Sequence, residues 1–180
     1  MVPLLGWCDY ENSIGKITLE FQEKINEYRR ELGRPPLTCH WSLVKTAYSH
    51  VEDQIDYGKD FEKHKSGCNM HSWLGNYGEG DGAKRCCFDD SVANYDCMWS
   101  KPKEISKWNV GNGYEISYGA NYETSYGTKI TIDRAIAAWK KSPGHNAVMA
   151  GDGLWGDLKE VGCYFDNQGD SGFANCWFFK

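Results

Sequence analysis

The chain has 180 residues, of which 41% are hydrophobic and 25% charged, with a formal net charge of -5 and a pI near 5.5. These values describe a folded globule, expected as a single domain over residues 1–180, and not a disordered or collagen-like chain. The acidic balance, with no Lys/Arg run beside aromatics, argues against a nucleic-acid partner, and no apolar stretch reaches the roughly 18 to 20 residues of a transmembrane segment.

The opening Met1 to Cys8 lacks a basic leading region, and its apolar run is too short for a secretory signal, so Met1 is read as the start of a chain whose signal has been removed. From about Ile14 to Leu32, apolar residues Ile14, Ile17, Phe21, Ile25, Tyr28 and Leu32 recur at steps of three and four and predict a helix. Gly33 ends it, and Arg34-Pro35-Pro36 cannot continue it. A second helix is expected from Trp41 to about Tyr57, with Leu43, Val44, Ala47, Val51 and Ile55 on one side.

From about 58 to 113 the periodicity fades into a loop-rich insertion that includes the glycine-dense run Gly75 to Gly82, and the cysteines in it are expected to pin it in place. Strands are expected at Tyr114 to Tyr118, Glu160 to Phe165 and Phe173 to Phe179, the last two as a hairpin. A third helix spans about Thr131 to Lys140, with Ile132, Ala135, Ile136 and Trp139 on one face. Ser142-Pro143 then supplies a favoured N-cap and first helical residue, placing His145 in the first turn of another short helix. The order of elements predicts an α+β fold in which helices cover both sides of a sheet.

Eight cysteines, an even number with no C-x-x-C pair, point to as many as four disulfides and an exported protein; free buried thiols are the alternative. Adjacent Cys86 and Cys87 should bond different partners, and Cys163 with Cys176 can cross-link two strands joined by a turn.

Five blocks carry a resemblance. Ser142 to Met149, after Ala137-Ala138-Trp139 and before Lys159 to Tyr164, resembles the signature of the CAP superfamily, the cysteine-rich secretory, antigen 5 and pathogenesis-related proteins. Ile25 to Arg29 with Leu32-Gly33 and Pro36-Leu37 is similar to that family's first helix, and Trp41 to His50 to its second. Cys68 to Ser72 resembles the segment with the first site histidine, and Gly113 to Ile116 the glycine-glutamate strand. The resemblance implies a three-layer α-β-α sandwich, with a central, mainly antiparallel sheet and a cleft holding two His and two Glu. His71, Glu115 and His145 match three of those positions, while Ser142 stands at the fourth, three residues after Trp139.

Two imidazoles and one carboxylate are a sensible donor set for Zn2+ or another divalent metal, with a position left open for water. A catalytic version would add a general base, making a metal-dependent hydrolase of His71, Glu115 and His145. The same side chains can equally be read as hydrogen-bonding one another to brace the insertion. His50 on the second helix is read as a packed or half-exposed histidine, and His40 and His64 as solvated ones. Asp152, Asp157, Asp166 and Asp170 lack the EF-hand spacing, and nothing resembles G-x-S-x-G.

The leading expectation is a secreted binding module, more a binder than an enzyme, acting as a monomer or weak dimer on an extracellular lipid, sterol or protein. A toxin or defence effector acting on a receptor or channel is the third class. Trp73, Trp99, Trp108, Tyr114 and Tyr118 are the aromatics expected near the cleft, with core burial as the other account of them.

Overall fold

A computed structural model of the protein describes residues 7–61, 68–73, 85–88, 94–106, 111–121, 129–169 and 171–180, with the backbone alone at 57–61 and 120–121. His64, Trp108, Asp170, the run Gly75 to Gly82 and much of the expected insertion lie outside these residues.

Helix α1 (Ser13–Glu31) starts where the Asn12 side chain accepts a hydrogen bond from the Gly15 N–H at 2.7 Å. Its buried stripe is Thr18, Phe21, Ile25, Asn26 and Arg29, whereas Leu32, expected on that face, is 45% exposed beyond the last turn. The polar members of the stripe are satisfied. Asn26 exchanges two 2.8 Å hydrogen bonds with the Leu37 backbone, and Arg29 donates to the Pro35 and Met149 carbonyls. Gly151, at φ 73°, passes so close to that guanidinium that a Cβ there would lie 2.7 Å from Arg29 Nη1.

A short strand β1 (Thr38–Cys39), unforeseen in the sequence, leads into α2 (Trp41–Phe61). Within the expected insertion two short helices form, α3 (Tyr95–Trp99) and α4 (Lys101–Ser106), together with an isolated bridge between Trp73 and Cys86. Strand β2 (Tyr114–Asn121), helix α5 (Ile132–Lys141), helix α6 (Pro143–Ala150), a 3-10 turn (Gly153–Trp155) and the hairpin β3 (Glu160–Gln168) and β4 (Ser171–Phe179) complete the chain. Ile132, Ala135, Ile136 and Trp139 are buried as the helical spacing requires, and Thr131 caps α5 through its hydroxyl.

The four strands lie in the order β1-β3-β4-β2. Only β1–β3 is parallel. One apolar cluster gathers Phe21, Ile25, Ile116, Ile136, Trp139 and Val161 between the sheet and α1, α5 and α6. The second, with Leu43, Ala47, Trp73, Met98, Ile105 and Trp177, lies on the other face under α2 and α4. The molecule is therefore an α-β-α sandwich with a mainly antiparallel sheet. Gly162 permits the closest approach of α2 to β3, since a Cβ there would run into the backbone of Leu43 and Val44.

All eight cysteines pair: Cys8–Cys39, Cys68–Cys87, Cys86–Cys97 and Cys163–Cys176. Cys86 and Cys87 do take different partners, and Cys163 faces Cys176 directly across the β3–β4 ladder.

Candidate functional site

Strand β2 is the end strand of the sheet, and the candidate site forms along it. The alternation of side chains sends Tyr114, Ile116 and Tyr118 towards the α1 layer and Glu115 and Ser117 towards α2. Glu115, its side chain fully buried, sits between two imidazoles: His50 Nδ1 lies 2.6 Å from Oε1 and His71 Nδ1 3.0 Å from Oε2. His145, half-buried at the start of α6, brings its ring centroid to 6.1 Å from that of His71. His71, Glu115 and His145 are thus brought together from three distant parts of the chain.

Ser142 is the N-cap residue of α6, as its sequence implied, but its side chain makes no capping bond; its carbonyl accepts from the Asn146 N–H at 2.8 Å.

His50 is the residue that sequence reasoning missed. It is completely buried, with its ring stacked on Trp73 at 4.2 Å and 9°. Its Nε2 lies 3.1 Å from the Ser72 carbonyl while its Nδ1 lies 2.6 Å from the Glu115 carboxylate, and a ring set between two acceptors is favoured in its charged, imidazolium form. The contact with Oε1 is short but not aligned as a hydrogen bond, and its attraction is that of opposite charges. Burial works against the charge on His50, and Glu115, with smaller help from Asp53 and the Ser72 carbonyl, outweighs it and raises the pKa. Burial likewise opposes the charge on Glu115, but His50 first and His71 second hold its pKa down to about 2.

An ionised carboxylate only accepts, so His71 donates from Nδ1 and its Nε2 is not engaged by Glu115. His145 is held below the usual imidazole pKa by its burial and by His71.

This arrangement does not fit a three-ligand metal centre. Both Glu115 oxygens are committed to imidazoles, and no group of three His, Cys, Asp or Glu suited to a metal occurs among the described residues.

An aromatic track leads away from the histidines. Phe88 meets His71 edge-on at 5.7 Å, and Tyr95, Trp99, Tyr114 and Trp155 follow at centroid distances of 5.3, 5.0, 5.2 and 4.9 Å. Tyr95 is 47% exposed, and Leu154 beside Trp155 is 83% exposed. Of the other aromatics expected near a cleft, Trp73 is buried under His50 and Tyr118 packs against the α1-side core.

Residues 22–180 match the model of the cysteine-rich secretory protein family, CAP. The chain belongs to this family. Two solved structures share its fold. An outer surface protein of Borrelia burgdorferi has 17% identity and a TM-score of 0.50, with 89% of this chain and 88% of that one covered. An extracellular protein of Bacillus anthracis str. Ames containing an SCP domain has 11% identity and a TM-score of 0.51; the match covers 92% of this CAP chain but 41% of that protein. No curated protein sequence matches. Four disulfides, CAP membership and the absence of any described helix long and apolar enough to cross a membrane are together consistent with an extracellular protein.

Proposed function

We propose that this CAP domain is a secreted binding module that takes an amphipathic lipid, of the sterol or fatty-acid class, against its aromatic track. The continuous succession of rings from Phe88 to Trp155, ending beside the exposed Leu154, is the observation that carries this reading. Beyond the buried Phe88, the partly exposed rings of Tyr95, Trp99, Tyr114 and Trp155 offer apolar area to a ligand at little entropic cost, because they are already ordered. The His71–His145 pair at one end supplies polar groups for the ligand's head. Titrating the protein with a sterol or a long-chain fatty acid should quench tryptophan emission saturably, and Trp99→Ala and Tyr95→Ala should each weaken uptake about fivefold or more. Absence of saturable uptake for both ligand types overturns the reading.

A hydrolase is the second reading, favoured by the His71–Glu115 pair alone. Glu115 orients the ring, and Nε2 of His71 is then the atom that takes a proton from water. His71→Ala would abolish any ester or peptide turnover, whereas the binding reading predicts no turnover to abolish.

A further inference from the structure

The turn between α6 and β3 carries the most exposed large apolar side chain among the described residues. Leu154, in the middle of the 3-10 turn Gly153–Trp155, is 83% exposed, against 60% for Tyr10 and 45% for Leu32. The backbone holds it there. The Trp155 N–H donates to the Asp152 carbonyl at 3.0 Å, the Leu158 N–H donates to the Trp155 carbonyl at 3.3 Å, and Leu158 is itself buried in the core. The Leu154 carbonyl accepts from the Lys180 ammonium at 3.2 Å. Trp155, next along the chain, packs its ring on that of Tyr114 at 4.9 Å and against the α1-side core. Leu154 therefore adjoins the aromatic track and is not a scattered surface leucine. A leucine that a braced turn fixes in water is buried only against something outside the molecule.

The charges around the tip are spent. Between Ala150 and Leu158 the charged residues are Asp152 and Asp157, one on each side of Leu154. Arg34 pairs with Asp152 at 2.8 Å and Lys180 with Asp157 at 3.3 Å, so the tip is apolar and locally neutral on a chain of net charge -5.

These features choose what covers the tip. A protein partner needs a contact of about 800 Å² on each side, and a convex tip of Leu154 and Trp155 between Gly153 and Gly156 is too small for one. A bilayer needs no matching hollow, because acyl chains close around an apolar projection while Trp and Tyr beside it settle at the headgroup level. Paired acids suit zwitterionic headgroups, whereas the net negative charge of the chain opposes an anionic leaflet. We infer that the turn Gly153–Trp155 docks the protein on a zwitterionic phospholipid bilayer, with Leu154 among the acyl chains and Trp155 at the headgroups. The inference rests on the lipid reading: the aromatic track ends at this turn, so a lipid leaving the membrane reaches the rings without crossing water.

The test is flotation of the intact, ligand-free protein with phosphatidylcholine vesicles. The wild type should float with them, and vesicles rich in phosphatidylserine should bind it less well. Leu154→Asp should lower partition into phosphatidylcholine roughly tenfold, and Leu154→Phe should preserve it. The Leu154 side chain lies outside both core clusters, so circular dichroism should show both variants folded. No flotation of the wild type, or equal flotation of Leu154→Asp, overturns the inference. So does sedimentation showing a self-association that Leu154→Asp abolishes while the wild type ignores vesicles, since the cover is then a second copy of the chain. Uptake of sterol or fatty acid by the wild type from cyclodextrin, without membranes, is measured beside this. Uptake without docking sinks this inference alone, and docking without uptake sinks the lipid reading instead.

Discussion

The two faces of the sheet are built on different physics. Between the sheet and α1, α5 and α6 the filling is aliphatic and aromatic, and the buried Arg29 and Asn26 at its margin are satisfied by backbone groups. Under α2 the burial is as complete, but His50, Asp53, Gln54, Ser117, Glu115 and Asn175 share it with the apolar side chains. Gln54 links Ser117 to Asn175, and the fully buried His50 and Glu115 hold opposite charges. A buried charge pair resists the loss of either partner far more than it stabilises the fold as a whole. The first face is a core; the second is a core built around the functional edge.

The largest expected effect separates the two faces by additivity. Glu115→Ala strands a buried imidazolium and should cost about 3–5 kcal/mol in denaturant unfolding, much of it recovered when His50→Leu is added. Phe21→Ala on the other face should cost a similar 3–5 kcal/mol, with no distant partner able to restore it. If the His50 and Glu115 losses simply add, the buried pair as described is wrong.

Next comes the covalent bracing. Replacing Cys8 and Cys39 by Ala opens a loop of 31 residues and should cost about 3 kcal/mol. Differential scanning calorimetry reads this directly.

The dependence on pH sharpens the contrast further. Glu115 has its pKa lowered from 4.5 to about 2, so its contribution is whole above 4.5 and is lost as pH falls towards 2. His50 has its pKa raised from 6.5, so its contribution is whole below 6.5 and is lost as pH rises through the elevated value. Melting temperature measured against pH should fall on both sides, and His50→Gln should remove the alkaline fall. A wild-type profile flat from pH 7 upward would contradict the imidazolium.

The smallest effect concerns two helix starts. Thr131→Ala removes a capping bond and should cost about 1 kcal/mol. Ser142→Ala removes none and should cost well under that, a difference measurable by urea titration.

Local chemistry made much of this protein legible in advance. The 3.6-residue spacing from Ile132 to Trp139, the Ser142-Pro143 helix start and the β-branched and aromatic residues of β3 and β4 each depend on neighbours in the chain, and each element formed as its pattern implied. Cys163 and Cys176 were readable because a hairpin fixes its own register. The stretch at 94–106, with little periodicity to read, nonetheless formed two short helices, because its Met98 and Ile105 bury themselves against Trp73 and α2. Family blocks brought His71, Glu115 and His145 to notice, but not their relation to one another.

His50 shows what the sequence withheld. Its helix neighbours Tyr48 and Val51 fit a packed or half-exposed face and say nothing of a charged partner. Whether that face meets solvent depends on where the chain from Cys68 to Trp73 packs, and on Glu115, 65 residues further on, pointing back at it. The sequence alone determined the long helices, the main strands, the disulfide-rich character and the family, since these rest on periodicity, composition and short motifs. Tertiary structure decided which imidazole carries a charge and how Glu115 is spent, because desolvation and pairing exist only once distant segments share one dielectric environment.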